Sequence, residues 1–196
     1  MTTNVKSNDS DTKVQIKKIL VPIDGSECSL YAAKYATRIA KDENAQLYCI
    51  HIIGNVPYGY AAFPPAIEQY FKDLEQKIQT WFDKIKCMAK NQGILDVKTE
   101  TFTDVKSIIG SIIDYATTKD IDLIVIGTRG RTGLKRFLMG SVASGVVQHA
   151  HVLSYLSDSL LTFSSWESGI EFPQVIFAAS GAQFIYIIII LSIIIN

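Results

Sequence analysis

This sequence has few cysteines, no net charge and no Lys or Arg after residue 150. Its 196 residues include three cysteines, Cys28, Cys49 and Cys87, which are widely spaced. That number and spacing fit neither a disulfide framework nor a paired zinc motif, so we expect reduced, buried thiols. The 19 Lys and Arg residues balance 19 Asp and Glu residues. This balance removes the bulk electrostatic argument for binding nucleic acid.

The zero net charge hides two regions of different composition. All 19 basic residues precede residue 151, and the only charged residues after it are Asp158, Glu167 and Glu171. The first 150 residues are enough for one autonomous domain. Residues 1–15 contain no apolar stretch, so we expect a disordered tail, no signal peptide and a cytoplasmic location. The predicted divisions are therefore a tail at 1–15, a domain at 16–151, an atypical linker at 152–174 and a hydrophobic segment at 175–195.

Short apolar runs and amphipathic stretches alternate along the predicted domain. Apolar runs at 17–23, 45–53 and 121–127 predict strands, and the alternating pattern at 97–102 predicts a half-exposed strand at a sheet edge. Helical periodicity at 27–42, 66–91, 108–116 and from Gly140 onward predicts helices. Such alternation implies an α/β fold, an open parallel sheet with helices on both faces (Rossmann-like). Ligands of these sheets bind beyond the carboxyl ends of the strands, at the point where the strand order reverses.

The most informative stretch is GTRGRTGLKRFLMGSV at 127–142. It is neither a Walker A loop nor the dinucleotide fingerprint. Glycines nevertheless let backbone amides approach an anion, and Gly140 with Ser141 begins a helix whose N-terminus favours phosphate. Positive potential would come from Arg129, Arg131, Lys135 and Arg136. The alternative is that the glycines only make turns and the basic residues form a solvated face.

The spacing Gly127-x2-Gly130-x9-Gly140-Ser141, together with ILVPIDGS at 19–26 and DLIVIG at 122–127, resembles the universal stress protein family in its ATP-binding, UspA-like branch. The likeness extends from about Lys17 to His151. It implies a strand order 3-2-1-4-5, a homodimer, and ATP, alone or with Mg²⁺, held where the strand order reverses. The implied function is a nucleotide-dependent stress-response or signalling module that acts through changes of partner or dimer state.

The resemblance assigns roles on the adenine and ribose side of the nucleotide. Asp24 is similar to the carboxylate that reaches the ribose or adenine, and Pro22 and Ile23 are implied to line the base. Ile52 matches the position whose backbone reads the adenine edge. The residues themselves also allow another interpretation, in which Asp24 is a turn-forming or helix-capping carboxylate.

The resemblance also assigns a phosphate side. Gly127 and Gly130 are implied to pass close to the ribose and phosphates. Arg129 and Arg131 occupy positions that vary within the family, and their positive charge suits a phosphate contact. Backbone amides and a hydroxyl at the start of the last helix are implied to bind the phosphate chain; these come from Gly140, Ser141 and Val142.

No catalytic constellation is evident in the order of the sequence. We find no Ser-His-Asp or Cys-His arrangement and no residue identifiable as the base that ATP hydrolysis needs. His51 is expected to be a satisfied residue at a strand end, and His149 and His151 are not expected to bind a metal. We therefore expect weak hydrolysis at most. The alternatives are a slow nucleotide hydrolase using the same pocket and a nucleotide-independent dimerisation or membrane-scaffold module.

The chain departs from the family pattern after residue 151. Members of the family continue with a Cys-Pro-Val-Leu-Val-Val type segment, the fifth strand, which helps to form the dimer. Here VLSYLSDSLL follows, which weakens the expected dimer and leaves 152–156 as a substitute strand.

The hydrophobic segment at 175–195 has three interpretations. Its 21 residues, VIFAASGAQFIYIIIILSIII, carry no charge, which suits a transmembrane helix that would anchor the domain. The absence of flanking Lys or Arg opposes that interpretation. The rivals are a tail produced by a shifted reading frame and a packed extension of the domain.

Overall fold

Strands and helices alternate through the domain as the hydrophobic pattern predicts. The computed structural model describes residues 15–54, 64–104, 107–128, 130, 140–149, 152–153, 179–180 and 186–190. The strands are β1 (Lys18–Pro22), β2 (Gln46–Ile53), β3 (Val97–Thr103), β4 (Leu123–Gly127), β5 (Val152–Leu153), β6 (Ala179–Ser180) and β7 (Tyr186–Ile190). The helices are α1 (Glu27–Glu43), α2 (Pro64–Asn91), α3 (Ile108–Thr118) and α4 (Ser141–His149).

The main sheet has the order β3-β2-β1-β4-β7. β1 pairs in parallel with β2 on one side and with β4 on the other, and β2 pairs in parallel with β3. The order β3-β2-β1-β4 confirms the predicted open parallel α/β sheet. Because β1 and β4 are neighbours although two strands separate them in the chain, the strand order reverses between them, and their carboxyl ends meet there.

Helices cover both faces of the sheet because alternate residues of its strands are apolar on both sides. One face packs Ile19, Val21, Leu47 and Val125 against α1 and α2, and the other packs Leu20, Ile50, Ile124 and Ile126 against α3 and α4. Small side chains on the buried side of α1 allow it to approach the sheet closely; they are Ala32, Ala33, Ala36 and Ala40.

The cysteines are only partly where the sequence places them. Cys49 is fully buried in β2, and burial raises the pKa of its thiol to about 12, partly opposed by the charge of Lys86. Cys28 is half-buried and Cys87 is exposed. The prediction of three buried thiols is therefore wrong for Cys87, which lies on the polar side of the amphipathic α2.

The fifth position of the sheet is occupied by β7, which pairs in parallel with β4 from Leu123 opposite Tyr186 to Gly127 opposite Ile190. The substitute strand predicted at 152–156 is not in the main sheet. Instead, β5 pairs antiparallel with β6 in a separate two-stranded sheet. Consecutive isoleucines favour a strand because a β-branched side chain restricts χ1 in a helix and packs well on a pleated surface.

The structure does not support the transmembrane helix predicted within 175–195. The described residues of that segment, 179–180 and 186–190, form strands. Among all described residues, no helix combines the length and apolarity needed to cross a bilayer. Apart from residue 15, the predicted N-terminal tail lies outside the described residues, and so does most of the predicted linker at 152–174.

Candidate functional site

The end of β1 turns directly into α1, and the turn is built by its own side chains. Asp24 Oδ1 accepts a hydrogen bond of 2.9 Å from the backbone amide of Ser26. Ser26 is the N-cap of α1 and accepts from the amide of Ser29 at 3.1 Å, while Gly25 between Asp24 and Ser26 has φ +80°. Asp24 therefore forms the turn through Oδ1, which confirms the prediction that its carboxylate is turn-forming. The other carboxylate oxygen, Oδ2, makes a different contact.

Oδ2 of Asp24 lies against Gly130. A Cβ atom added to Gly130 would be 2.8 Å from this oxygen. A side chain at residue 130 would therefore displace the carboxylate, so glycine at this position lets the backbone lie against Asp24. The structure thus brings together two of the residues that the family resemblance selected from opposite ends of the domain.

Gly127 makes a second close approach at the same edge. A Cβ atom here would be 2.8 Å from the carbonyl carbon of Cys28 and 3.0 Å from the amide nitrogen of Ser29. These are backbone atoms of the first turn of α1, which cannot move aside as a flexible side chain can. Glycine at residue 127 allows the last residue of β4 to pack on the start of α1.

The start of α4 is tied back to the end of β4. The Gly140 amide donates to the Thr128 carbonyl at 2.6 Å, and the Gly140 carbonyl accepts from Ser144 at 2.9 Å as the first helical hydrogen bond. The amide of Gly140 is thus engaged within the chain. The amides of Ser141, Val142 and Ala143 follow it, and the first amides of a helix have no acceptor within that helix.

Thr128, which carries no signal in the sequence patterns, is 3% exposed, and its buried hydroxyl oxygen has no hydrogen-bond partner among the residues that the structure describes. Most buried polar groups in proteins are paired. An unpaired hydroxyl between Gly127 and the α4 N-terminus therefore marks this position as unusual. The sequence offers no signal for it beyond its place after the strand.

The residues expected on the adenine side lie at the carboxyl ends of β1 and β2. Ile23 is 3% exposed, and its amide donates to the carbonyl of Ile50 at 2.8 Å. Pro22 is half-buried and Ile52 is 8% exposed. The Nδ1 atom of His51 lies 2.6 Å from the carbonyl oxygen of Ile23, which confirms His51 as a satisfied residue at a strand end.

The basic loop predicted to supply positive charge follows β4. Arg129, Arg131, Lys135 and Arg136 lie outside the described residues. Within the described part of the chain, no group of three His, Cys, Asp or Glu residues could hold a metal ion. The geometry thus consists of the Asp24 turn, two closely packed glycines and the first turn of α4.

Comparisons with known proteins agree with this architecture. The family model for the universal stress protein family matches residues 15–153. A universal stress protein of Methanocaldococcus jannaschii is 39% identical over 135 residues, which are 69% of this chain and 78% of that protein. The solved structure of the universal stress protein UspA from Lactobacillus plantarum is 27% identical with a TM-score of 0.62, covering 70% of this chain and 94% of that one.

A second solved structure shares the fold at lower identity. It is a universal stress protein in complex with cAMP, 23% identical with a TM-score of 0.52, covering 69% of this chain and 92% of that one. The family model covers well over half of the sequence, and the M. jannaschii relative extends over the same domain. This chain belongs to the universal stress protein family.

Proposed function

We propose that this chain binds an adenine nucleotide, ATP, across the carboxyl ends of β1 and β4. The observation that carries the proposal is the convergence of Asp24, Gly130 and the α4 N-terminus at the point where the strand order reverses. Ligands of open α/β sheets bind at that point. Nucleotide binding then alters the affinity for a partner or for a second copy of the chain, as expected of a stress-response or signalling module.

Each part of the site suits one part of the nucleotide. We assign the side of the base to the half-buried Pro22 with Ile23, and the adenine edge to the backbone of Ile52. The Asp24 carboxylate can accept a hydrogen bond from a ribose hydroxyl. The first turn of α4 carries partial positive charge and amides that suit a phosphate. With the Gly140 amide bonded to Thr128, we assign the phosphate contacts to Ser141 and Val142, joined by Arg129.

The binding experiment compares several adenine nucleotides. The structural neighbour in complex with cAMP makes that nucleotide a necessary member of the set to be compared. Mg²⁺ would partly neutralise the phosphates of ATP, so each titration is run with and without it. Release of inorganic phosphate from ATP in the same samples distinguishes binding alone from slow hydrolysis.

The test is calorimetric titration of the full chain with ATP, AMP, cAMP and adenosine. Asp24→Ala removes a charged acceptor and should weaken ATP binding by at least about tenfold. Asp96→Ala is the matched control, because Asp96 pairs with Lys98 at 2.8 Å near the amino end of β3, where both side chains are exposed. It should bind ATP as the unmodified chain does.

Two results would refute the proposal. One is the absence of heat of binding for every nucleotide at millimolar concentration. The other is equal weakening by Asp24→Ala and Asp96→Ala, which would place the ligand elsewhere. Sedimentation of the same samples with and without ATP measures whether the nucleotide changes the dimer state.

A further inference from the structure

Trp81 of α2 lies beside the residues that α2 buries most deeply, at the edge of the core. The helical spacing of the sequence permits either Trp81 or Phe82 among these residues, and the structure places Phe82 there with 4% exposure. Trp81 is half-buried. The most deeply buried residues of α2 are Leu74, Ile78, Phe82, Ile85 and Ala89, and Trp81 packs against the edge of the same core. What distinguishes Trp81 from them is its contact with the turn after β1.

The indole of Trp81 lies directly on Gly25. A Cβ atom on Gly25 would be 2.2 Å from both Cε2 and Cζ2 and 2.7 Å from Cη2 of the ring. Only glycine fits beneath the ring, and its φ of +80° is one that other residues rarely adopt. A rigid aromatic ring thus contacts the backbone immediately after Asp24.

His51 supports the same turn from the end of β2. Its ring meets Trp81 edge to face, with centroids 5.4 Å apart and an interplanar angle of 70°. Its Nδ1 atom lies 2.6 Å from the carbonyl oxygen of Ile23. The backbone on both sides of Asp24 is therefore fixed, at Ile23 by His51 and at Gly25 by Trp81.

We propose that Trp81, supported by His51, is a positioning residue of the nucleotide site that holds the Asp24 carboxylate in its binding position through Gly25. The inference rests on the proposed function. A turn that moves among several conformations binds less tightly, because the apparent affinity falls in proportion to the fraction of molecules in the competent one. Trp81 raises that fraction without touching the ligand.

The experiment compares Trp81→Leu with Phe82→Leu in the full chain. Both replace an aromatic residue of α2 by leucine, and Phe82 is the more buried of the two, so Phe82→Leu should lower the free energy of unfolding at least as much. Trp81→Leu should weaken adenosine and ATP binding by the same factor, about tenfold if the competent fraction falls to about a tenth. Phe82→Leu should leave both affinities within about twofold.

A double variant tests the route of the effect. In an Asp24→Ala background, Trp81→Leu should have no further effect on adenosine binding, because the carboxylate that it positions is gone. Trp81→Phe keeps an aromatic ring on Gly25 and should retain most of the affinity. Undiminished weakening by Trp81→Leu in the Asp24→Ala background would overturn the proposal.

Tryptophan fluorescence tests the proposal with Trp81 in place, and so does not depend on whether Trp81→Leu folds. Trp166→Phe leaves Trp81 as the sole tryptophan, and saturation with adenosine should change its emission, because binding selects the one conformation of the turn that the indole contacts. Unchanged emission, or equal affinities of Trp81→Leu and Phe82→Leu while the unmodified chain binds ATP, would refute this inference alone. Absence of ATP binding by the unmodified chain would refute the proposed function.

Discussion

The two ends of the parallel sheet use their polar groups differently. At the amino end, Asp122 Oδ2 accepts from the amides of Lys17 and Lys18 at 2.8 Å each, and the Lys18 ammonium donates to the Lys119 carbonyl at 2.7 Å. At the carboxyl end, glycines pack against backbone and a carboxylate, α1 and α4 begin, and the Thr128 hydroxyl is unpaired.

From this difference we expect the polar groups at the amino end of the sheet to serve stability and those at the carboxyl end to serve ligand binding. The groups of the amino end join β1 to β4, and we expect their loss to reduce the free energy of unfolding and leave nucleotide affinity unchanged. The carboxyl end holds groups in positions that suit a ligand, at some cost in stability. Substitutions of the polar groups at the two ends should therefore give opposite patterns of effect, whereas the close-packed glycine Gly127 at the carboxyl end also carries stability. The following predictions run from the largest expected effect to the smallest.

Gly127→Ala should be the most destabilising of these changes, by about 3 kcal/mol, because its Cβ atom would lie 2.8 Å from backbone carbon. Urea unfolding measures the loss. Gly93→Ala is the control, because Gly93 has φ +87° and open space around its Cβ position. The loss in Gly93→Ala comes from its left-handed backbone alone, at about 1 kcal/mol, whereas Gly127 has no positive φ and its loss comes from the close contact. Equal losses for the two variants would contradict the close packing of β4 on α1.

Asp122→Ala should reduce the free energy of unfolding by about 2 kcal/mol, because two backbone amides lose their shared acceptor. Asp122→Asn keeps one carbonyl oxygen and should lose less. Calorimetric titration should give the same ATP affinity for both variants as for the unmodified chain. A weakened affinity would show that the two ends of the sheet are not separate.

Thr128→Val should stabilise the unliganded chain by about 1 kcal/mol, because it replaces an unpaired buried hydroxyl by a methyl group of similar size. Thr37→Val is the matched control, since the Thr37 hydroxyl is equally buried but donates to the Ala33 carbonyl at 2.7 Å. Thermal unfolding should rank Thr128→Val above the unmodified chain and Thr37→Val at or below it. The reverse order would contradict the unpaired state of Thr128.

Cys49, which lies between the two ends, should not react at all in the folded chain. With its pKa raised to about 12 by burial, about one thiol in ten thousand is ionised at pH 8. Because the unfolded thiol ionises at lower pH, stability should fall as pH rises above about 9. Iodoacetamide followed by peptide mass spectrometry should label the exposed Cys87 and spare Cys49.

The fold of the domain could be predicted from sequence because its signals are local and agree with one another. The strand at 18–22 is followed by Asp24, Gly25 and Ser26. In the structure Asp24 forms the turn and Ser26 caps α1, as these residue types favour. The glycine spacing after β4 likewise indicated the edge where Gly130 meets Asp24. Consistency between periodicity, caps and turns is what makes a sequence readable in this way.

Other features depend on contacts that no local pattern encodes. Helical periodicity could not decide which of the adjacent Trp81 and Phe82 is the more deeply buried, because both pack against the core and only tertiary contacts distinguish them. The isoleucines at 187–190 suit a buried strand as well as an apolar helix, and pairing with β4 decides the outcome. The unpaired hydroxyl of Thr128 is visible only once the packing around it is known.

The most direct test of the separation between the two ends is the effect of ATP on unfolding. For a micromolar binder, 1 mM ATP should raise the free energy of unfolding by about 4 kcal/mol. We expect this full increment in Asp122→Ala, from a lower starting stability, and a clearly smaller one in Asp24→Ala. No increment in the unmodified chain, or equal increments in both variants, would contradict nucleotide binding at the carboxyl end of the sheet.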